Sequence, residues 1–319
     1  MCVINSVLVR KITILLLLWG CFLDATAQYD PSFSHYWAME TAYNPGAAGK
    51  QDKINAVAAY NMSLVGFENN PRTMFIAGDM PFYALGGYHA VGLQMINDDI
   101  GVFSHKKFAG IYALKQKLLG GVLSIGVQPA MISEGLDGSK LDFPEGGTDD
   151  AFSSSDVSGS AFDLSFGLYY KRKNWYAGAS VQHLTGPTVE IGERNELNLS
   201  QTYYLTGGCN IRLRNPFLTI QPSLMARYDG VGYRADVTAR MTYTFEKRLM
   251  YAGLGYSPTN SFTVYLGGMF HGIMLGYSYE IYTNAVPVGS GSHELYVGYQ
   301  TDVNLFKKGR NHHQSVRLL

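Results

Sequence analysis

The chain has 319 residues, 25 basic and 25 acidic, with only 16% charged residues but 23 tyrosines and 36 glycines. A balance this even lacks the basic excess of a nucleic-acid-binding protein. Its three cysteines include two, Cys2 and Cys21, in the first 27 residues, so an exported chain would keep only Cys209 and form neither an internal disulfide nor a cysteine metal site.

Residues 1–27 read as a secretory signal peptide. Arg10 and Lys11 precede the apolar run Ile12–Leu18, and Ala25-Thr26-Ala27 supplies small residues before a cleavage site at Gln28. A competing reading takes Leu18-Trp19-Gly20-Cys21 as a lipoprotein signal with Cys21 lipidated, although Trp19 fits it poorly. Beyond residue 27 no apolar run reaches the ~18 residues of a membrane-spanning helix. Residues 28–55 are too irregular for strands and too rich in Phe, Tyr and Trp for a plain linker. They are expected to plug a barrel or rest at its periplasmic mouth.

From residue 56 to 304 the pattern changes to period two, the mark of strands with one apolar and one polar face. In 201–213, Tyr203, Leu205 and Ile211 oppose Thr202, Tyr204, Thr206 and Arg212. In 217–228, Leu218, Ile220 and Leu224 oppose Thr219, Gln221, Ser223 and Arg227. In 232–245, Tyr233, Val237, Ala239 and Met241 oppose Arg234, Asp236, Thr238 and Arg240. Leu275, Tyr277 and Tyr279 oppose Gly276, Ser278 and Glu280.

Alternation alone also fits a soluble sandwich. Strand length, aromatics near the strand ends and the lack of continuous apolar runs favour an all-β, antiparallel transmembrane β-barrel of the bacterial outer membrane. The strands read at 56–67, 72–80, 88–97, 107–116, 120–131, 160–172, 174–184, 201–213, 217–228, 232–245, 249–258, 262–270, 272–282 and 293–303. That is about fourteen, an even number as such barrels require. Arg172–Asn174, Arg214–Pro216, Glu246–Arg248 and His271 form short turns at one end. Asp98–Lys106, Ile132–Gly159, Thr185–Ser200 and Thr283–Ser292 form long loops at the other. Short periplasmic turns and long external loops are the expected asymmetry, with both termini periplasmic and 305–319 a periplasmic tail.

The polar faces make Arg212, Arg227, Arg234, Asp236, Arg240 and Glu280 lumen candidates, favoured as an interior hydrogen-bonded filling over a pore lining. Val237 and Ala239 are expected to face lipid, and Thr238 and Arg240 the lumen. Arginine should then be harmful at Val237 and better tolerated at Thr238.

Ser292-His293-Glu294 cannot act as a catalytic relay, because adjacent strand residues point to opposite faces. No G-x-S-x-G elbow occurs, and no enzymatic activity is expected. The eight histidines are scattered, with no zinc spacing and a third ligand; His312-His313 reads as solvated tail. The acidic run within Ile132–Gly159 lacks the ordered EF-hand pattern and reads as a surface loop or partner contact. No cofactor or metal is expected.

Three stretches carry a resemblance. "QYDPSFSHYWAMETAYNPGAAG" (Gln28–Gly49) holds Asn44-Pro45-Gly46-Ala47-Ala48-Gly49; "LYYKRKNWYAGASVQHLTGP" (Leu168–Pro187) holds Tyr176, Gly178 and His183; "GYSYEIYTNAVPVGSGSHELYVGYQ" (Gly276–Gln300) holds Ser292, His293 and Glu294. Together they resemble the PorP/SprF family of the Bacteroidetes type IX secretion system, although Gly46 and Ala47 stand where that family tends to have Ala and Tyr. The resemblance implies an integral outer-membrane barrel serving protein export. Its implied partners are outer-membrane lipids, a periplasmic ring, a peptidoglycan-binding lipoprotein and/or a secreted adhesin, often one used in gliding. The runner-up is an outer-membrane channel for hydrophobic or small polar solutes.

Overall fold

The computed structural model describes residues 30–51, 53–137, 157–192, 195–246, 248–258, 260–283 and 291–302. The signal segment, Cys21, most of the acidic loop and the tail with His312-His313 lie outside the described residues.

Seventeen strands follow one helical turn, Glu40–Tyr43, and a 3-10 turn, Pro45–Ala47. They are β1 (Lys53–Met62), β2 (Arg72–Ala84), β3 (Gly87–Ile100), β4 (Phe103–Leu118), β5 (Gly121–Leu136), β6 (Val157–Arg172), β7 (Trp175–Gln182), β8 (Thr188–Ile191) and β9 (Asn195–Asn198). The series continues with β10 (Thr202–Cys209), β11 (Ile211–Arg212), β12 (Leu218–Tyr228), β13 (Tyr233–Phe245), β14 (Arg248–Ser257), β15 (Ser261–Phe270), β16 (Ile273–Tyr282) and β17 (Ser292–Asp302). Neighbours pair antiparallel around a ring. The seam between β1 and β17 and the pairing of β10 with β12 close it. β11 continues β10 beyond a break at Asn210, and β8–β9 form a separate hairpin, so the wall is a closed barrel of 14 strands. Closure pairs the backbone groups that an open sheet would expose at its edges, as lipid demands.

The alternation sorts the side chains. Ile76, Phe108, Leu205, Val237, Leu254 and Leu266 point outward and are exposed. In water such a belt would be an aggregation-prone patch; in a bilayer it is the lipid contact. Tyr203, Tyr228 and Tyr233 mark one rim of it, and Phe217, Tyr243 and Phe245 the other.

Three loop assignments need correction. The expected loop Asp98–Lys106 is mostly strand: β3 and β4 run on to a two-residue link at 101–102, with Asp98 opposite His105. The charges of this stretch, and the neighbouring Lys107 of the expected strand 107–116, are satisfied inside the ring. Thr73 donates to Asp98 at 2.6 Å, His105 pairs with Glu134, and Lys107 donates to Gln182 at 2.6 Å. The expected loop Thr185–Ser200 contains the β8–β9 hairpin. Val189 and Ile191 bury themselves with Ile132, Leu136 and Leu199 at the long-loop mouth. The first strand occupies 53–62 rather than 56–67, so the barrel starts earlier and Val65–Phe67 belong to a loop.

Candidate functional site: the occupied lumen

The inward faces enclose part of the chain itself. Residues 30–51 run down the inside of the ring; most of them are buried and none is fully exposed. Asp30 lies level with the long-loop ends of β7 and β10, where it meets His183 and Tyr204. Lys50 lies at the short-turn end, where Lys171 donates to its carbonyl at 3.0 Å. Asp30, two residues after the expected start, sits inside the ring at its far half.

Four sets of contacts fasten the segment. The first surrounds Glu294, whose side chain is 1% exposed. Its carboxylate accepts from the backbone N–H groups of Ser34 and His35, both at 2.8 Å, and from Asn61 Nδ2 at 3.3 Å; His35 Nδ1 lies 2.7 Å away. The His35 ring packs among Trp37, Tyr251, Tyr265 and Tyr296.

The second set holds Asp30. His183 Nε2 is 3.0 Å from its carboxylate and His183 Nδ1 is 3.0 Å from Asp163. Tyr204 donates to Asp30 Oδ2 at 2.7 Å, and Arg227 donates to the Asp30 carbonyl at 2.8 Å. The third set grips the aromatic middle. Tyr36 Oη lies 3.1 Å from Ser223 Oγ and 3.0 Å from Thr238 Oγ1, and the Arg240 guanidinium stacks 4.1 Å over the Trp37 ring.

The fourth set seats Asn44-Pro45-Gly46. Asn44 Nδ2 donates to the Leu168 carbonyl at 2.9 Å, while its Oδ1 accepts from Gly46 N–H at 2.8 Å. Gly126 and Gly167 let this turn lie against the wall. A Cβ on Gly126 would fall 2.3 Å from Gly46 N, and one on Gly167 2.0 Å from Asn44 Oδ1. Below it Gly49, at φ 61°, donates to Asp79 at 2.6 Å.

Of the lumen candidates, Arg227 and Arg240 touch the segment directly, as does Asp236, whose carbonyl accepts from Tyr36 Oη at 3.4 Å. Arg234 instead pairs with Asp236 at 3.0 Å and Glu280 at 3.1 Å along the wall. Arg212 does not join them: it is exposed on β11, where the β10 ladder has broken. Among the motif positions, Asn44, Pro45, Gly49, Gly178, His183 and Glu294 lie at or against the segment. Tyr176 stacks on Tyr169 at 5.5 Å. Ser292 is buried and lies 2.6 Å from the Tyr282 hydroxyl, whereas His293 points outward to the Tyr277 hydroxyl at 2.7 Å. Sequence reading passed over Asp30, Ser34, His35 and Asp163. Only the aromatic density of 28–50 hinted that this stretch packs against a wall.

The Asp30–His183 pair is sensitive to pH. Burial alone would raise the Asp30 carboxyl, but the charge and hydrogen bond of His183 hold it well below the usual carboxylate range. Burial also pulls His183 down, yet the Asp30 charge and the hydrogen bonds to Asp163 and Asp30 push it up to about 9. A raised histidine stabilises fully below its unfolded value of 6.5 and loses that contribution as pH climbs through about 9. A lowered carboxyl stabilises above 3.8 and fails only in stronger acid. In detergent-solubilised protein, protease cleavage within 30–50 is therefore expected to rise between pH 7 and 10. His183→Gln should flatten that rise; a rise unchanged in His183→Gln would place the titrating group elsewhere.

Among the described residues, no group of three or more His, Cys, Asp or Glu could hold a metal ion, and no helix is long and apolar enough to cross a membrane.

The family model for the type IX secretion system membrane protein PorP/SprF matches residues 25–299. The chain belongs to the PorP/SprF family. That span includes the whole described segment inside the ring and all but the last residues of the barrel, so the segment is part of what this PorP/SprF chain shares with its family. No curated protein matches the chain. Among solved structures it is similar to the CymD monoaromatic hydrocarbon channel, at 11% identity and a TM-score of 0.50, covering 83% of this chain and 93% of that one. It is also similar to a Pseudomonas aeruginosa FadL homologue, at 11% identity and a TM-score of 0.49, covering 82% and 93%. At 11% identity, the likeness to CymD shows a common barrel fold and nothing about what passes through it.

Proposed function

We propose that this PorP/SprF chain is a non-enzymatic, integral outer-membrane barrel that assists export or surface display of type IX cargo such as adhesins, acting as a closed scaffold. The family match over residues 25–299 carries the reading. The occupied lumen supports the scaffold form of it, since the segment is tied to the wall along its length. Short turns then face the periplasm and long loops the exterior, with β17 ending on the periplasmic side. Ring components, a peptidoglycan-binding lipoprotein or a secreted adhesin remain the partners this reading calls for. A solute channel would need the segment to move aside.

Deleting the gene is expected to leave at least one type IX cargo protein in the periplasm, with solute uptake close to normal. Normal cargo at the surface together with a loss of uptake would transfer the case to the channel.

A further inference from the structure

We infer that the short-turn end of the barrel is a docking face for a periplasmic protein with an acidic surface and apolar hollows, held by Leu85 and Leu119. The periplasmic side of this inference rests on the orientation proposed above.

The observation begins with two adjacent hairpin turns. Leu85-Gly86 joins β2 to β3, and Leu119-Gly120 joins β4 to β5. Leu85 has φ 51° and Gly86 φ 77°; Leu119 has φ 47° and Gly120 φ 75°. Both turns therefore need left-handed backbone at two positions, where Asn, Asp or Gly is the favoured first residue. Leucine suits that conformation poorly. It also gains nothing by burial here, since Leu85 is 100% exposed and Leu119 is 82% exposed. Other short turns of the same end place polar residues at the equivalent position, Glu246 at φ 53° and His271 at φ 52°. Turn geometry thus does not require leucine. The Leu119 turn is also held rigid: the Tyr170 hydroxyl donates to the carbonyls of Leu118 at 3.1 Å and Leu119 at 3.3 Å. Strained residues fixed in place and presented to solvent are a mark of a binding surface.

Charge identifies the occupant. Lys117, Arg172, Lys173, Arg212, Arg214 and Arg248 are all exposed at this end. The Arg172 guanidinium flanks Gly120 itself, 3.7 Å from where its Cβ would be. Among the described residues, exposed acidic groups here are few: Glu246, and Asp302 already paired with Lys53 at 3.3 Å. A basic rim around apolar knobs selects an acidic partner by steering and by register.

Three other occupants fit less well. The chain's own tail leaves β17 at this end, but residues 303–319 carry Lys307, Lys308, Arg310 and Arg317 and no Asp or Glu. A second copy docking by the same face would set basic rim against basic rim. For lipid, apolar groups should precede the charges along the barrel axis. Here the aromatic residues Tyr170 and Trp175 come first, Lys117 and Arg172 next, and Leu119 stands at the tip beyond them.

The test places a photoreactive benzoylphenylalanine at position 85 or 119 of the full chain in living cells, with position 67 in a long-side loop as control. Expected is an adduct with the same acidic protein from both turns and not from position 67. Arg172→Glu with Lys173→Glu should reduce that adduct at least tenfold. In the unlabelled chain, Leu85→Asn with Leu119→Asn should reduce recovery of the same protein with the barrel at least tenfold. Asparagine suits these turns, so the heat-modifiable folded form should persist in the asparagine variant. Adducts only with phospholipid, only with a second copy, or with no partner would overturn the docking face. So would an adduct indifferent to charge reversal. If adducts fail while gene deletion still traps cargo, the docking face falls and the secretory reading stands. If adducts form while cargo reaches the surface normally in the deletion, the reverse holds.

Discussion

Glu294→Ala is expected to release the N-terminal segment while leaving the barrel wall intact. The substitution strips the acceptor from two backbone N–H groups and from His35, all inside the ring. Leaving a buried donor without its acceptor costs about 1–3 kcal/mol each. The wall should survive, since Glu294 pairs with Asn61 and Ser278 across the ladders through its backbone. In planar bilayers the wild type should conduct little and Glu294→Ala should show frequent openings. Cleavage within 30–50 should increase in parallel, with the heat-modifiable band unchanged. Glu294→Gln keeps one acceptor oxygen and should fall between the two. Equal conductance and equal protection in wild type and Glu294→Ala would mean that Glu294 does not anchor the segment.

The second large effect separates the two faces of β13. Val237 is 47% exposed toward lipid, and arginine near the bilayer midplane costs about 2–4 kcal/mol in such barrels. Val237→Arg should deplete the folded form from outer membranes. The sequence makes Thr238→Arg the milder change, with a steric cost added where the lumen is crowded. The structure shows that crowding. Thr238 is 2% exposed, with its hydroxyl 2.5 Å from Ser223 and 3.0 Å from Tyr36. Arginine there meets the segment itself, an overpacking cost of about 1–3 kcal/mol. The two variants should nevertheless differ in cure. Deleting residues 30–50 should restore Thr238→Arg and do nothing for Val237→Arg. Rescue of both, or of neither, would mean the faces are misassigned, since a one-residue slip turns every side chain over.

These two positions also show what the sequence made legible. Period-two alternation in β13 separates Val237 from Thr238 without any coordinates, because neighbouring residues in a strand must point to opposite sides. The same rule fails at the ends of β3 and β4. Asp98 and His105 look like loop residues because charge is normally solvated, yet they are buried against Thr73 and Glu134 on other strands, and the neighbouring Lys107, read correctly as strand, is buried against Gln182. Local pattern cannot register a partner that topology brings from 25 to 75 residues away. The β8–β9 hairpin was missed for a similar reason: Thr188–Ile191 is too short to display a period. The occupied lumen was the least legible part. Its central contact joins His35 to Glu294, 259 residues apart, and Glu294 drew notice only within a Ser-His-Glu triplet.

That separation has a consequence for how the molecule is made. The ring closes where β1 meets β17, and β17 also carries the acceptor for Ser34 and His35. The last strand to be synthesised therefore completes the wall and secures the first described residues at once. Contacts of such long range make folding slow, because the cost of bringing the ends together precedes the gain. They also make it self-checking. A chain truncated before β17 can neither seal its seam nor anchor Ser34 and His35, so wall and filling succeed or fail together.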